Sequence, residues 1–385
     1  MTNSAPADTE SVHQVDVVII GAGQAGLAAG FYLNRLRRDA RTGRIPAAPS
    51  FVLLDAEETP GGSWQHYWPS LELFSPAQFS SLSGYQMPIN QGPNNPGKDH
   101  VVEYLTTYEQ RYALPIERPV TVTRVDPDEH AFVVHTDRGR WRCCWVISAT
   151  GSWNLPFVPD VPGRETFEGT QVHTHDYAGP EPYADQQVVV VGGANSGAQI
   201  AADVLPHAAN VDWATLREPV YLPDHVDGRA LFQIASRRVR ALAAGDEEPV
   251  SVGSLGDIIV VPSVKAARDA GDLVSRRMFV ELTPAGPRWP DGSVSHADAI
   301  IWCTGFKHDL RHVSGLAGLG GGEDDAPRTQ SPLLTASVDH PGLYFLGYGD
   351  WCGPASAPLI GVGTWARDTV AAIAAEFASG ADSEF

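Results

Sequence analysis

The sequence predicts an α/β protein built from two Rossmann-like units, because the same local pattern occurs twice along the chain. A short apolar run, Val15–Ile20, is followed by the glycine-rich turn Gly21–Gly26 and then by residues with helical spacing. The run Val188–Val191, the turn Gly192–Gly197 and the segment Ser196–Leu205 repeat this order. Continuous apolar runs are typical of parallel strands buried on both faces. A glycine turn between such a strand and a helix is typical of dinucleotide-binding domains, so the sequence predicts two of them.

Hydrophobic spacing predicts the other elements of the first unit. Ala25–Arg37 carries apolar residues close to helical spacing, and Phe51–Leu54 is a second apolar run. Asp39–Ser50, rich in Arg and Pro, is predicted to be the loop between them. The later elements of this unit are predicted to be helix His100–Tyr112, strands Val120–Val125, Ala131–His135, Trp141–Ser148 and Leu343–Leu346, and helix Val362–Phe377.

Three prolines within Pro156–Pro162 predict a linker that leaves the first unit. The second unit continues with strands Val211–Leu216 and Ala299–Cys303, and Gly245–Asp257 is expected to be a mobile loop. From Gly305 the chain is expected to return to the first unit. We therefore predict a disordered tail at residues 1–14, a first domain of residues 15–163 and 305–385, and an inserted second domain of residues 164–304.

Composition limits the classes of function. The formal net charge of −19 over 385 residues argues against nucleic acid, because phosphate binding needs clustered Lys and Arg. No apolar run approaches the ~18 residues that a membrane span needs, and the polar, acidic start has no signal-peptide pattern. Cys143, Cys144, Cys303 and Cys352 form neither a zinc motif nor a C-x-x-C pair. We expect a cytoplasmic protein with buried thiols, no membrane association and no nucleic-acid partner.

The first glycine turn has the full context of a dinucleotide site. Gly21 allows the tight turn, Gly23 lets a pyrophosphate approach the backbone, and Gly26 lets the helix pack on the strand. The helix N-terminus then faces the phosphates. Asp55 ends the second apolar run, where a carboxylate accepts hydrogen bonds from both ribose hydroxyls and repels a 2′-phosphate.

The second turn departs from the pattern, because Ala194 stands where the middle glycine is expected. Its methyl group narrows the approach of a pyrophosphate, while Asn195 and Ser196 can donate hydrogen bonds. Thr215-Leu-Arg217 ends the next strand in place of an acid, and an arginine there can pair with a 2′-phosphate. This favours NADPH and leaves NADH as the open alternative. The candidate residues for this site are Gly192, Ala194, Asn195, Ser196, Gly197, Thr215 and Arg217.

Between the two turns, the spacing F-x-G-x-x-x-H-x-x-x-Y from Phe167 to Tyr177 matches the signature of the flavin-containing monooxygenases. Ala149-Thr-Gly151 and Cys303-Thr-Gly-Phe306 resemble the two interdomain crossovers of that superfamily. The resemblance extends from Val15 to the C-terminal helix. It implies FAD, NADPH, O₂ and a small-molecule substrate. Three longer strings resemble the compact bacterial members, which include flavoproteins encoded in arsenic-resistance operons: Gly62–Ser70, Leu222–Arg229 and Gly349–Ser356.

The resemblance also assigns residues to the flavin. Pro60-Gly-Gly-Ser-Trp64 resembles the Gly-Gly-x-Trp segment, whose backbone lies close to the flavin ring with the Trp beside it. Asp350 resembles the acidic residue that binds the ribityl chain. Together with the first turn, the candidate FAD-binding residues are Gly21, Gly23, Gln24, Ala25, Gly26, Asp55, Gly62, Ser63, Trp64, Val122, Thr150, Gly151 and Asp350.

Two positions bear on catalysis. Flavin-containing monooxygenases commonly carry an Asn whose amide stabilises the oxygenated flavin, and this chain has Phe74 at the corresponding position. A phenyl ring cannot donate that hydrogen bond, so release of hydrogen peroxide is expected. His173 is expected to order the linker around NADPH rather than to transfer protons, and no catalytic acid–base pair is required.

The resemblance implies a monooxygenase in which NADPH reduces the flavin and a C4a-(hydro)peroxyflavin oxygenates sulfur, nitrogen or trivalent arsenic. Baeyer–Villiger oxygenation of ketones is one alternative, although its enzymes usually carry Trp at the position of Tyr177. An NADPH oxidase that produces hydrogen peroxide is another, and a disulfide reductase is disfavoured because no redox cysteine pair exists. A flavin-binding redox sensor is the alternative outside enzymes. A homodimer is left open.

Overall fold

The computed structural model describes residues 12–92, 95–226, 228, 230, 233–234, 258–319, 326–329 and 333–380. Its strands are β1 (Val12–Gln14), β2 (Val17–Ile20), β3 (Phe51–Leu54), β4 (Ile116–Glu117), β5 (Val122–Asp128), β6 (Ala131–Thr136), β7 (Gly139–Cys143), β8 (Trp145–Ser148), β9 (Thr170–His173), β10 (Gln187–Val191), β11 (Asn210–Thr215), β12 (Ser275–Arg277), β13 (Glu281–Thr283), β14 (Gly286–Arg288), β15 (Ala299–Trp302) and β16 (Leu343–Phe345). Its α-helices are α1 (Gln24–Arg41), α2 (Lys98–Tyr112), α3 (Asn195–Val204), α4 (Pro262–Ala270) and α5 (Leu359–Ser379).

A parallel sheet of order β16-β8-β2-β3-β4 forms the centre of the first unit. Successive residues of β2 point to opposite faces, as in any strand. Val17 and Ile19 pack with α1, α2 and α5, whereas Val18 and Ile20 pack with the sheet β1-β7-β6-β5. The central sheet is therefore covered on both faces, which explains why its strands are apolar throughout.

The second unit repeats this arrangement with the parallel sheet β12-β11-β10-β15-β9. Val188 and Val190 pack with α3 and α4 on one face. Val189 and Val191 pack on the other face with residues of the β13–β14 hairpin and with Trp302. In both sheets, the strand that precedes the glycine turn lies between the next strand along the chain and a strand from much later.

Most predicted elements are confirmed within a few residues, and three differ. The predicted loop Asp39–Ser50 begins later, because α1 continues to Arg41. The predicted tail contains β1, which pairs in parallel with β7, and residues 1–11 lie outside the described part of the chain. The predicted loop Gly245–Asp257 also lies outside it.

The third difference is the run Trp141–Ser148, which forms two strands in two sheets rather than one. β7 belongs to the sheet with β1, and β8 belongs to the central parallel sheet. The carbonyl oxygen of Asp16 accepts the backbone N–H groups of both Cys144 and Trp145, each at 3.0 Å. Asp16 itself lies between β1 and β2. The chain thus changes sheets at two neighbouring points, and one carbonyl group joins them.

After Gly305 the chain contributes to the first sheet again, because β16 pairs in parallel with β8. No helix in the described ranges has both the length and the apolar character needed to cross a bilayer.

The two glycine turns bring helix and strand into backbone contact. A Cβ added at Gly26 would lie 1.9 Å from the carbonyl oxygen of Gly21, and one added at Gly197 would lie 2.0 Å from that of Gly192. Both distances are far below any real contact of a Cβ atom. The sequence prediction that Gly26 serves helix–strand packing agrees with this geometry, and the second turn uses Gly197 in the same way.

We predict that Gly26→Ala lowers the free energy of unfolding by about 1–3 kcal/mol, because the added methyl group forces the turn or the helix to move. The direction of this change is informative, since replacing glycine by alanine in a helix interior otherwise raises the free energy of unfolding by ~1 kcal/mol. Thermal unfolding of the FAD-free protein measures the change. Gly23→Ala is the matched control, because a Cβ there meets nothing within 4 Å. Equal melting temperatures for the two variants would contradict the packing argument.

Candidate cofactor and active site

A cavity of about 580 Å³ lies at the carboxyl ends of β2, β3 and β8. Gly26 lies beneath the turn rather than on the cavity wall, and Asp350 is exposed and does not line it. The other residues that the sequence assigned to FAD all line this cavity: Gly21, Gly23, Gln24, Ala25, Asp55, Gly62, Ser63, Trp64, Val122, Thr150 and Gly151.

The backbone around this cavity fits a dinucleotide. The space beside Gly23 is open, whereas a Cβ at Gly62 would lie 2.9 Å from the Cα of Gly23. Two backbone segments therefore touch here, and only glycine permits it. No side chain caps the N-terminus of α1, so its first N–H groups are available to an anion. The uncapped helix offers N–H groups to a pyrophosphate, and the glycines let the backbone come close to it.

The side chain of Gln24 joins three segments of the cavity wall. Its Oε1 accepts a hydrogen bond of 2.7 Å from Nε1 of Trp64, and its amide nitrogen donates to the carbonyl oxygen of Ala357. Trp64 belongs to the segment that resembles the flavin-contacting loop, and Ala357 precedes α5. Gln24 therefore fixes the orientation of the Trp64 ring relative to the glycine turn.

Asp55 is buried in an ion-pair network that the sequence did not predict. Nε of Arg118 donates to its Oδ2 at 2.7 Å, and the same guanidinium donates to both carboxylate oxygens of Glu109 at 3.1 and 3.0 Å. Burial raises the pKa of the Asp55 carboxyl above its usual value, and Arg118 offsets only part of this effect. Arg118 thus holds the carboxylate that was predicted to bind ribose in one orientation.

The two crossovers pair with each other to form one wall of the cavity. Backbone hydrogen bonds join Asp309 to Gly151, Lys307 to Leu155 and Phe157 to Gly305, at 2.9, 2.8 and 3.0 Å. This ribbon carries two aromatic rings that sequence reasoning missed as site residues, and both line the cavity. A usable signal was present, since each ring follows a crossover glycine: Trp153 after Gly151 and Phe306 after Gly305.

Trp153, Phe306 and Tyr67 form an aromatic cluster on the cavity wall. The ring centroids of Trp153 and Phe306 are 5.0 Å apart and nearly parallel, and those of Trp153 and Tyr67 are 4.5 Å apart. Tyr67 also contacts Trp64 at 5.3 Å. Burial raises the pKa of Tyr67 to about 12. Tyr67 is therefore neutral near pH 7, and the cluster presents uncharged ring surface to the cavity.

His173 lies behind this cluster and does not line the cavity. Its Nδ1 accepts the backbone N–H of His175 at 3.0 Å, so Nε2 carries the proton and donates to the carbonyl oxygen of Gly305 at 3.0 Å. Its ring meets that of Phe306 edge-on at 5.0 Å. Burial lowers the pKa of His173, which keeps the ring neutral. The signature histidine therefore positions a crossover and an aromatic ring.

The rest of the signature is buried in the second unit. Phe167 packs in the core with the β13–β14 hairpin, and a Cβ at Gly169 would lie 2.5 Å from the carbonyl oxygen of Asp298. Tyr177 is buried and donates to Asp203 at 2.8 Å. These residues fix the strand β9 that ends at His173.

A buried polar network lies at the other end of the crossover ribbon. Ser148 Oγ lies 2.9 Å from His312 Nε2 and also bonds the hydroxyl of Tyr348. Burial lowers the pKa of His312 to about 4. Burial acts to raise the pKa of Asp309, but two hydrogen bonds of 2.8 Å from Arg311 outweigh it and hold this pKa below its usual value. His312 is thus neutral near pH 7, and Arg311 is the cation on this wall.

A second cavity, of about 660 Å³, lies at the carboxyl ends of β11 and β12. Thr215 and Arg217, both predicted for NADPH, line it. Arg277 also lines it, and the register of the sheet pairs Arg277 with Thr215. Sequence reasoning missed Arg277, because β12 was not predicted as a strand. Glu218 on the same wall supplies the opposing charge.

None of the residues Gly192–Gly197 lines either cavity, but a Cβ added at Gly193 would lie 3.4 Å from the side chain of Thr215, which lines the second. Ala194 is the N-cap of α3, with extended backbone, and Ser196 and Gly197 fall in the first turn of that helix. Asn195 Oδ1 accepts the backbone N–H of Ile259 at 2.8 Å, so the oxygen ties this side chain to the segment before α4, and Nδ2 is the end that can donate. Gly192 has a φ of +137°, and its carbonyl oxygen accepts a hydrogen bond of 2.7 Å from Nε1 of Trp213.

The resemblance places Phe74 at the flavin face, and this stays a prediction. Its ring packs against the second core, and its carbonyl oxygen accepts the backbone N–H of Gly228 at 3.0 Å. It is not among the residues lining the first cavity. Trp64 and Tyr67 pack against the same core and also line the cavity.

Comparisons with known proteins agree with this geometry. The model of the pyridine nucleotide-disulphide oxidoreductase family matches residues 18–240. A double mutant of the flavin monooxygenase from Stenotrophomonas maltophilia has a solved structure that is 41% identical, with a TM-score of 0.83, over 95% of this chain and 99% of that one. Solved structures of cyclohexanone monooxygenase and of bacillithiol disulfide reductase share 16–19% identity and show the fold alone.

Two curated relatives extend the comparison. The oxidoreductase CzcO from Bacillus velezensis is 28% identical over 90% of this chain and 96% of its own length. The indole-3-pyruvate monooxygenase YUCCA1 from Oryza sativa subsp. japonica is 27% identical over 80% of this chain and 81% of its own. All four cysteines here are free and buried, and burial raises the pKa of Cys303 to about 12, which is unlike a redox-active thiol.

This chain thus has a cavity beside a glycine turn, a second cavity lined by two arginines, and two paired crossovers. Its relatives with solved structures include flavin monooxygenases. The chain belongs to the pyridine nucleotide-disulphide oxidoreductase family and, within it, to the bacterial flavin-containing monooxygenases, oxidoreductases that use FAD and NADPH.

Proposed function

We propose that this enzyme inserts one oxygen atom of O₂ into a soft nucleophile of a small molecule, such as sulfur, nitrogen or trivalent arsenic. When bound, FAD supplies the oxygen chemistry and NADPH the electrons. The supporting observation is the aromatic cluster of Tyr67, Trp153 and Phe306, which gives the cavity an uncharged wall. A soft nucleophile needs no protein base to react. Two histidines beside this wall are already engaged: Nε2 of His173 donates to Gly305, and His175, whose ring lies 5.0 Å from that of Trp153, bonds Asp176.

The residues of the first cavity bind and orient FAD. The open space beside Gly23 and the uncapped N-terminus of α1 receive the pyrophosphate. Asp55, held by Arg118, accepts the ribose hydroxyls. The Gly62–Trp64 segment, held by Gln24, places the Trp64 ring beside the flavin.

The aromatic cluster excludes water from the reacting end of this cavity. Tyr67, Trp153 and Phe306 cover it with ring surface, and the hydrogen bond from His173 to Gly305 holds the ribbon that carries two of them. A dry cavity limits the loss of reducing equivalents as hydrogen peroxide.

NADPH binds the second unit. The turn Gly192–Gly197 receives its pyrophosphate, and Arg217 with Arg277 receives the 2′-phosphate in the second cavity. This division supports a FAD domain of residues 15–163 and 305–385 with an inserted NADPH domain of residues 164–304. It is consistent with the pairing of β16 to β8 and of β9 to β15.

The test offers the FAD-loaded enzyme NADPH, ¹⁸O₂ and either an aryl thioether or a cyclic ketone. We expect a sulfoxide that contains one ¹⁸O atom and no lactone. A lactone as the main product would instead support Baeyer–Villiger chemistry. Consumption of NADPH with only hydrogen peroxide formed would support an oxidase, and failure of NADPH to bleach the flavin under argon would support a sensor.

We predict that Gly23→Ala raises the dissociation constant for FAD by about tenfold or more, because a methyl group enters the open space beside the turn. Titration of FAD into the FAD-free protein, followed by flavin fluorescence, measures it. The melting temperature of the FAD-free variant should match the parent. Unchanged FAD affinity would place the pyrophosphate elsewhere.

We predict that Arg217→Gln and Arg277→Gln each raise the KM for NADPH by about tenfold or more, because each removes a charge-assisted hydrogen bond to the 2′-phosphate. The KM for NADH should change by less than about twofold. Glu218→Gln is the matched control on the same wall and should lower the KM for NADPH. An equal loss with both nucleotides would contradict the assignment.

We predict that Tyr67→Ala increases the hydrogen peroxide released per NADPH consumed, because it opens the aromatic wall to water. Phe74→Asn serves as the comparison, since the resemblance places Phe74 at the flavin face although it does not line the cavity. An oxygen electrode with catalase addition measures both variants. If only Phe74→Asn changes the leak, the flavin face is where the family resemblance placed it.

A further inference from the structure

A third cavity, of about 730 Å³, lies between the C-terminal ends of α1 and α2. Four arginines line it, Arg35, Arg38 and Arg41 from α1 and Arg111 from α2. No carboxylate of the described residues lines this cavity. An 18-residue helix is about 27 Å long, so the cavity lies at the opposite end of α1 from the cofactor turn. It is therefore separate from both cofactor sites.

The four guanidinium groups have no carboxylate partners among the residues that the structure describes. The nearest acids on the same helices are engaged elsewhere: Asp39 pairs with Arg44 at 3.1 Å, and Glu109 binds Arg118. This is unusual in a chain with 46 acidic and 27 basic residues. Carboxylates outnumber cations in this chain, yet these four arginines line one cavity without an ion-pair partner among the described residues.

The ends of the two helices do not account for these arginines. The last carbonyl groups of α1 are satisfied by the backbone N–H groups of Thr42, Gly43 and Arg44, and those of α2 by Ala113 and Leu114. Each helix dipole contributes only about −0.5 charge at its C-terminus. Four guanidinium groups against about one unit of negative partial charge leave the cavity strongly positive.

The cavity is also held in shape before any ligand arrives. Nδ2 of Asn34 on α1 donates to the carbonyl oxygen of Tyr112 on α2 at 2.6 Å. The rings of Phe31 and Tyr112 meet edge-on at 4.8 Å on its wall. Arg111 lies over the ring of Tyr85 at 4.8 Å. A stacked guanidinium keeps its edge N–H groups directed outward, which suits bidentate binding of an anion.

We propose that this arginine cavity binds a small polyanion that carries at least two phosphate or carboxylate groups. Bidentate guanidinium contacts from both helices hold the anion between α1 and α2. Binding weakens as ionic strength rises, because these side chains are exposed and their charges are screened. The site acts at a distance from the cofactors, so it is a regulatory or tethering site rather than a catalytic one.

Calorimetric titration of inorganic pyrophosphate into the FAD-loaded enzyme tests this, with NADP⁺ present in excess so that the second cavity is filled. We expect saturable binding that Arg38→Gln and Arg111→Gln each weaken by about tenfold, since each removes a charged hydrogen-bond donor. Arg138→Gln and Arg140→Gln are matched controls, exposed and outside the cavity, and should retain the parent affinity.

Parallel titrations with citrate and tripolyphosphate distinguish carboxylate from phosphate ligands, and tight binding of either supports the site. Three results would overturn it. The first is that pyrophosphate does not bind, or binds with the same affinity to the cavity variants as to the parent. The second is that the cavity variants lower the melting temperature without changing anion affinity, as expected of arginines that only stabilise the C-terminal ends of the helices. The third is that the cavity variants dissociate a dimer without changing anion affinity, in which case a second copy of the chain occupies the cavity.

Discussion

The architecture depends on one close contact between a helix and the turn that precedes it. In each unit a glycine in the first turn of the helix lies directly against the carbonyl oxygen of the first glycine of the turn, where a Cβ would come within 1.9 or 2.0 Å. This contact points the helix N-terminus at the carboxyl edge of the sheet. The first cavity opens at this edge beside the first turn, and the second opens at the corresponding edge of the other sheet, at the ends of β11 and β12.

The second constraint is how the two units are joined. The crossovers pair as a short antiparallel ribbon, and a bridge between Pro156 and Phe306 lies at its centre. His173 holds this ribbon from the second unit through the carbonyl oxygen of Gly305. Since Trp153 and Phe306 are part of the ribbon, the link between the units and the wall of the cofactor cavity are one structure. This explains how a buried histidine outside the cavity can influence it.

The sequence predicted the features that local patterns determine. Both strand–turn–helix units follow from spacing and motif, because glycine geometry is local, and eleven of the thirteen residues predicted for FAD line the first cavity. Arg118, Arg277 and Tyr67 were missed because their roles arise from contacts distant in sequence: Arg118 reaches Asp55 across 63 positions, and Arg277 meets Thr215 only through sheet register. The flavin-face position of Phe74 stays a prediction, since alignment of a loop does not determine which of the rings packed against the second core faces the flavin.

Net charge is a poor guide to what this chain binds. Asp55, Glu57 and Asp309 line the FAD cavity against the single guanidinium of Arg311, and His312 beside it is neutral near pH 7. A pyrophosphate there would meet the backbone N–H groups at the N-terminus of α1 and the dipole of that helix, which act only at short range. Side-chain cations are instead concentrated in the second cavity and at the far end of α1. An acidic surface is compatible with anion binding in these cavities, because such binding depends on local geometry rather than on the total charge.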